Sequence, residues 1–198
     1  LPYTLGIDRR GDACGGRFEE GAVPMRLSIL AAALVLSALA AGPGRAETPE
    51  EAVAYAFMGL ADGASLVRGQ TTMSWKETGA SPATFESESS TAGRKYQIRF
   101  TVTAEDPCTY QIVLEGPRTV VPTGKAVYAR VDLARVTGVT VTDHAVKAYV
   151  AGDGFCETGS MNPTCMKLDT SDLFGAVDIE KHKATVAFLG TVCPARAE

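Results

Sequence analysis

The sequence is poor in the residues that most catalytic and metal-site signatures need. In 198 residues it has 2 histidines, 1 tryptophan and 5 cysteines. No two cysteines stand as Cys-x-x-Cys, which disfavours a thioredoxin-like redox pair, a zinc ribbon and a c-type haem attachment. Gly-x-Ser-x-Gly, Ser-x-x-Lys and His-Glu-x-x-His are absent as well, so the local signatures of common hydrolases and zinc proteases are missing. A catalytic triad is assembled in space, and these absences weigh against an enzyme without removing one. There is no run of like charge, no repeat and no low-complexity tract. Over residues 47–198, 14 Lys and Arg stand against 19 Asp and Glu, a net charge of −5. An evenly mixed, mildly acidic surface argues against nucleic acid and anionic lipid headgroups as partners.

No apolar run reaches the roughly 20 residues needed to span a bilayer. The longest, Leu27 to Ala41, follows Met25 and Arg26 and ends at Gly42-Pro43. Gly44-Arg45-Ala46 then places small residues at −3 and −1 of a cleavage site before Glu47. Residues 25–46 therefore read as a secretory signal peptide. Residues 1–24 show neither helical nor strand periodicity and read as upstream sequence translated in frame, without structure. The folded part is expected to be one exported domain, 47–198, periplasmic or secreted, with no membrane anchor after cleavage. A single Asn among plentiful Ala, Gly, Val, Arg and Thr suggests a GC-rich bacterial genome.

Cys14 lies in the upstream piece, which leaves Cys108, Cys156, Cys165 and Cys193. An even number in an exported chain reads as two disulfides. Of the three pairings, Cys156–Cys165, closing a short loop, with Cys108–Cys193, tying mid-chain to C-terminus, is favoured.

Thr48-Pro49-Glu50-Glu51 is a capping-box helix start. Val53, Phe57 and Leu60 follow at helical spacing, and Asp62-Gly63 is a stop, giving about thirteen residues with one apolar stripe. The period then changes to that of strands. Met73 and Trp75 alternate with polar residues, and so does Phe85. Tyr96, Ile98, Phe100 and Val102 share one face of a strand over 94–103. Across the turn Glu105-Asp106-Pro107, Cys108, Tyr110, Ile112 and Leu114 alternate again, and the two segments predict an antiparallel hairpin with one wet face. Further strands are expected around Val127–Leu133, Val139–Val141 and Val146–Val150. Residues 151–165 read as a turn-rich loop stapled by its disulfide. Ile179, His182, Val186, Leu189 and Cys193 step as a helical stripe capped by Asp178, with a strand over 185–189 as the alternative. The fold class predicted is α+β: one antiparallel sheet of five to seven strands with N-terminal and C-terminal helices on its apolar face. A barrel or sandwich with one helix is the alternative.

His144, after Asp143 in a turn, and His182, between two lysines, are the natural general bases. The ordinary readings are a solvated turn residue and a buried, satisfied ring. Asp153, Glu157 and Asp169 supply acids near the 151–165 loop but lack the fixed spacing and Gly of an EF-hand. Trp75, Tyr96 and Tyr110 are expected in the core, with a ligand-facing rim position as the alternative for Trp75. No catalytic, cofactor or metal site is predicted. The leading functional reading is a non-enzymatic binding or interaction domain of the cell envelope, with a protein or small-molecule partner and the stapled loop, including Phe155, as recognition element. The alternatives are a small hydrolase using His144 or His182 and an envelope structural or stress protein.

Overall fold

Thr48 opens the first helix, α1 (Pro49–Met58), with a complete capping box: its hydroxyl accepts the Glu51 N–H and the Glu51 carboxylate accepts the Thr48 N–H. The computed structural model describes residues 47–91, 93–159 and 162–193; the expected leader and residues 1–24 lie outside them. The helix is ten residues long rather than thirteen. It ends at Met58 because Gly59 turns into the left-handed region at φ 68°, and the Gly59 and Leu60 N–H groups return to the Tyr55 and Ala54 carbonyls. Asp62 does not stop the helix; its carboxylate accepts the Glu77 N–H at 3.1 Å. Nor does α1 carry a single apolar stripe. Ala52 to Met58 are all within 3 % of complete burial, and a helix enclosed all round must have protein on every side.

One wall is an antiparallel sheet of eight strands: β1 (Ser65–Arg68), β2 (Thr71–Ala80), β3 (Ala83–Thr91), β4 (Arg94–Ala104), β5 (Thr109–Glu115), β6 (Lys125–Asp132), and, after two strands that belong elsewhere, β9 (Phe155–Gly159) and β10 (Asn162–Lys167). The two that intervene, β7 (Val136–Thr140) and β8 (Lys147–Gly152), form a second sheet with β11 (Thr170–Asp172) in the order β11-β8-β7. The large sheet ends at β1 and β10, so it is open rather than a closed barrel. The expected hairpin of the middle region is β4 and β5, with Phe100 opposite Leu114 and Val102 opposite Ile112. Its inward residues Phe100, Val102, Tyr110 and Ile112 are buried. On the outward face, register lines up Lys76, Glu86, Arg99, Glu115 and Lys125 as a row of alternating charge.

The region 151–165 corrects the sequence reading. Its Gly, Asp and Pro content predicts a loop, whereas most of it is the β9–β10 hairpin, added to β6 with Val131 opposite Phe155. Phe155 is wholly buried and stacks on Phe57 of α1 at 5.7 Å, so it is a core residue and not an inserting loop tip. The strand count also exceeds expectation, with eleven strands in two sheets among the described residues.

The C-terminal helix, α2 (Ile179–Val192), is capped by Asp178, whose carboxylate accepts the Lys181 N–H at 2.7 Å. It rests on α1 and β7, while α1 lies between it and the large sheet. Two disulfides are present: Cys108–Cys193 anchors the end of α2 beside β5, and Cys156–Cys165 crosses β9 to β10. Among the described residues no helix is long and apolar enough to cross a membrane.

Residues 173–176 strap the parts together. Phe174 N–H donates to Met58 O at 2.8 Å, Trp75 Nε1 donates to Phe174 O at 2.7 Å, and Ala176 N–H donates to Ser65 O at 3.1 Å. The strap passes so close to the end of α1 that a Cβ on Gly59 or Gly175 would strike the other's carbonyl oxygen. Gly63 also has positive φ, but a Cβ there meets nothing. Gly63→Ala should therefore cost only the left-handed backbone penalty, about 1 kcal/mol, whereas Gly59→Ala and Gly175→Ala each bring a backbone collision and should each cost about 3 kcal/mol. Urea unfolding of the three variants checks the ranking.

Candidate functional site

The side chain that departs most from the pattern of its strand is Tyr128. In the β5–β6 ladder Ile112 faces Ala129 and Val113 faces Val127, so Tyr128 is the extra residue of a β-bulge. A bulge re-aims the side chain it carries. The Tyr128 ring meets Phe100 and Phe174 edge-on at 5.5 and 5.8 Å, and its hydroxyl donates to Glu157 Oε1 at 3.1 Å. Glu157 stands opposite Ala129 across β6 and β9, on the face that carries the core. Both residues are half-buried. Met166 lies opposite Glu157 on β10 and is 55 % exposed.

The small sheet brings charge to the same place. Asp172 on β11 and Lys147 on β8 form an ion pair at 3.8 Å, and both act electrostatically on Glu157. Arg68, at the end of β1, is taken up by backbone: its Nη2 donates to Val146 O at 2.9 Å and to Leu173 O at 3.1 Å. The result is a polar seam where the large sheet, the small sheet and the strap meet.

Burial, first, and the neighbouring Glu157 push the Tyr128 hydroxyl far above its ordinary range, so it is a fixed donor. Burial also raises the Glu157 carboxyl, with Asp172 adding to the rise; the Tyr128 hydrogen bond and Lys147 oppose it. A carboxyl held this way accepts one bond from the protein and can accept another from outside it.

The structure distributes the sequence-predicted residues widely. His144 is exposed at φ 56° in the turn between β7 and β8. His182 is buried at 2 % exposure, with Nε2 3.0 Å from Ala56 O, and burial lowers its pKa. Among the described residues neither ring hydrogen-bonds a carboxylate or a hydroxyl. Asp153 pairs with Arg135 and with Lys167, while Glu157 joins Tyr128 and Asp169 is exposed in a loop, so the three acids do not converge. Trp75 is a core anchor with its N–H satisfied by Phe174 O. The Tyr96 hydroxyl meets Thr91 Oγ1, and that of Tyr110 donates to Pro107 O. In the sequence the one signal for Tyr128 is an aromatic out of phase with Val127 and Val131.

A groove of about 560 Å³ on the outward face of β2–β5 is the competing location. Its charges close on one another, with Arg99 bonded to Glu86 and Glu115, and Glu115 to Lys125. Exposed pairs of this kind contribute little energy. Comparison with known proteins finds no matching family model, no similar curated protein and no similar solved structure.

Two opposite pH dependences follow. The folded pKa of Glu157 is raised above the ordinary value of 4.5, so the folded state binds its proton more tightly and stability falls as pH rises from about 4.5. Glu157→Gln should raise the melting temperature at pH 7.5 and leave it unchanged at pH 3.5. The folded pKa of His182 is lowered from 6.5, so its stabilising contribution is complete above 6.5 and is lost as pH falls below it. His182→Gln should therefore melt below the parent at pH 8, with the gap narrowing towards pH 5. Thermal melts of both variants across pH 3.5–8 check the two signs separately.

Proposed function

We propose that residues 47–198 are an exported, non-enzymatic binding domain of the bacterial cell envelope, released from a signal peptide at 25–46, and that the seam around Tyr128 and Glu157 is its recognition surface. The observation that carries the reading is the bulge at Tyr128. A bulge interrupts a ladder that would otherwise continue, and here it brings a phenol and a carboxyl into a half-buried position beside an exposed apolar side chain, Met166. Desolvating a carboxyl that meets only a neutral partner costs stability, a cost that a binding surface explains and a purely structural sheet does not.

Two features support the envelope assignment. The cysteine count and the two disulfides fit an oxidising compartment. The leader-like stretch ends directly before Glu47, and the first helix begins two residues later. The recognition element is thus moved from the tip of a stapled loop to the inner face of the stapled hairpin.

The test places a photo-crosslinking amino acid at Met166 and, as control, at Val120, which is 42 % exposed in a loop far along the chain. The protein is expressed with its own leader in a Gram-negative host and irradiated in intact cells. The expected result is a mature mass equal to residues 47–198 less four hydrogens, with a defined adduct from position 166 and none from 120. A retained leader would end the export reading. Equal adducts at both positions, or none at either, would end the assignment of the seam.

A further inference from the structure

The seam holds a carboxylate whose nearby cations are already committed. The Lys147 ammonium lies on Asp172 at 3.8 Å, and the Arg68 guanidinium is bound to the Val146 and Leu173 carbonyls. Glu157 is left with a neutral phenol on Oε1, and among the described residues Oε2 has no hydrogen-bond or ion-pair partner. Asp172 and Asp153, by contrast, each have a lysine within 4 Å. Met166 stands directly across the ladder from Glu157, is more than half exposed, and is a flexible apolar thioether. Such a side chain adapts to a ligand's apolar arm.

We propose that this seam recognises a primary alkylammonium group, with the ammonium on Glu157 Oε2 and its aliphatic stem along Met166. The inference rests on the reading of the seam as the recognition surface and adds the chemical class of the ligand. An ammonium supplies the missing charge and the missing donor together. The phenol fixes the carboxyl in place, so little ordering remains to be done on binding. A guanidinium is a poorer fit, because its planar fork asks for both carboxylate oxygens and one is held by Tyr128. The same chemistry is offered by a lysine side chain of a partner polypeptide and by a free small amine.

Two probes separate these sources: pentylammonium and the peptide acetyl-Gly-Lys-Gly-amide, each titrated against protein carrying ring-labelled tyrosine. The controls are pentanol and the same peptide acetylated on the lysine. The Tyr128 resonance, assigned through Tyr128→Phe, should shift saturably with both amines and with neither control. Glu157→Gln, whose fold is verified by its own melt, should weaken the amines about tenfold or more, as expected for loss of a charge-assisted bond. Met166→Ser should weaken both a few-fold. Tighter binding of the peptide points to a polypeptide partner, and tighter binding of pentylammonium to a free amine. Equal shifts from the acetylated peptide, or unchanged amine affinity in Glu157→Gln, would overturn the ammonium assignment while leaving the seam as a binding surface. No shift with any probe would also overturn it; the crosslink at position 166 then decides whether the seam reading falls with it.

Discussion

The structure turns on a ten-residue helix that has no face for water. Ala52 to Met58 are buried on every side, so the chain must supply walls all round α1, and apolar burial at about 25 cal/mol per Å² is the return. The large sheet supplies one wall through Phe85, Phe100, Ile112 and Phe155. The small sheet and α2 supply the other. An enclosed helix also has termini to satisfy. Thr48 and Glu51 close the first turn, and at the far end the Met58 carbonyl is met by the Phe174 N–H, which is why the strap must pass within backbone contact of Gly59.

The seam follows from that same enclosure. Fixing Phe174 against α1 brings its ring to 4.9 Å from Phe100, and Asp172 two residues earlier is carried over the large sheet with Lys147 as its cross-strand partner. An ordinary ladder would leave Tyr128 pointing away from this junction. The bulge turns it inward, where two aromatic edges hold its ring and Glu157 holds its hydroxyl. Charge and apolar packing thus meet at one place for a geometric reason.

Much of this was legible in the sequence, and what was not has identifiable physical causes. The capping box at Thr48 is a local hydrogen-bond pattern and reads directly. The β4–β5 hairpin reads because Tyr96, Ile98, Phe100 and Val102 alternate with polar residues, and Tyr110 and Ile112 continue the alternation across the turn. The end of α1 was misplaced because Leu60 continues the helical spacing past Gly59, and only the approach of Gly175 from far along the chain shows why the helix must stop there. The β9–β10 hairpin has the composition of a loop, and pairing with β6 overrides composition there. Two strands of the small sheet, β7 and β8, overlap the strands expected at Val139–Val141 and Val146–Val150; β11 escaped because three residues are too few for a period to register, and the division into a second sheet is a matter of pairing. The Tyr128–Glu157 site was invisible for a different reason. Counting by twos assumes an unbroken ladder, and a bulge is a property of two strands taken together.

The disulfides bear on the site as well as on the fold. On loop entropy alone, Cys108–Cys193, spanning 85 residues, is worth about 4–5 kcal/mol and Cys156–Cys165, spanning 9, about 3. The shorter bridge does something the longer one cannot. β10 is an edge strand of six residues with an interrupted register, and such edges fray. Met166 belongs to that strand, opposite Glu157. Cross-linking Cys165 to Cys156 holds the edge to β9 one residue from each of these side chains, so the covalent bond sets how rigidly the apolar rim stands beside the carboxyl. Reduction would break both bridges, and at this rim it would remove the one tie that does not depend on neighbouring strands. The oxidising environment inferred from the cysteines is therefore also the environment in which the seam is best preorganised.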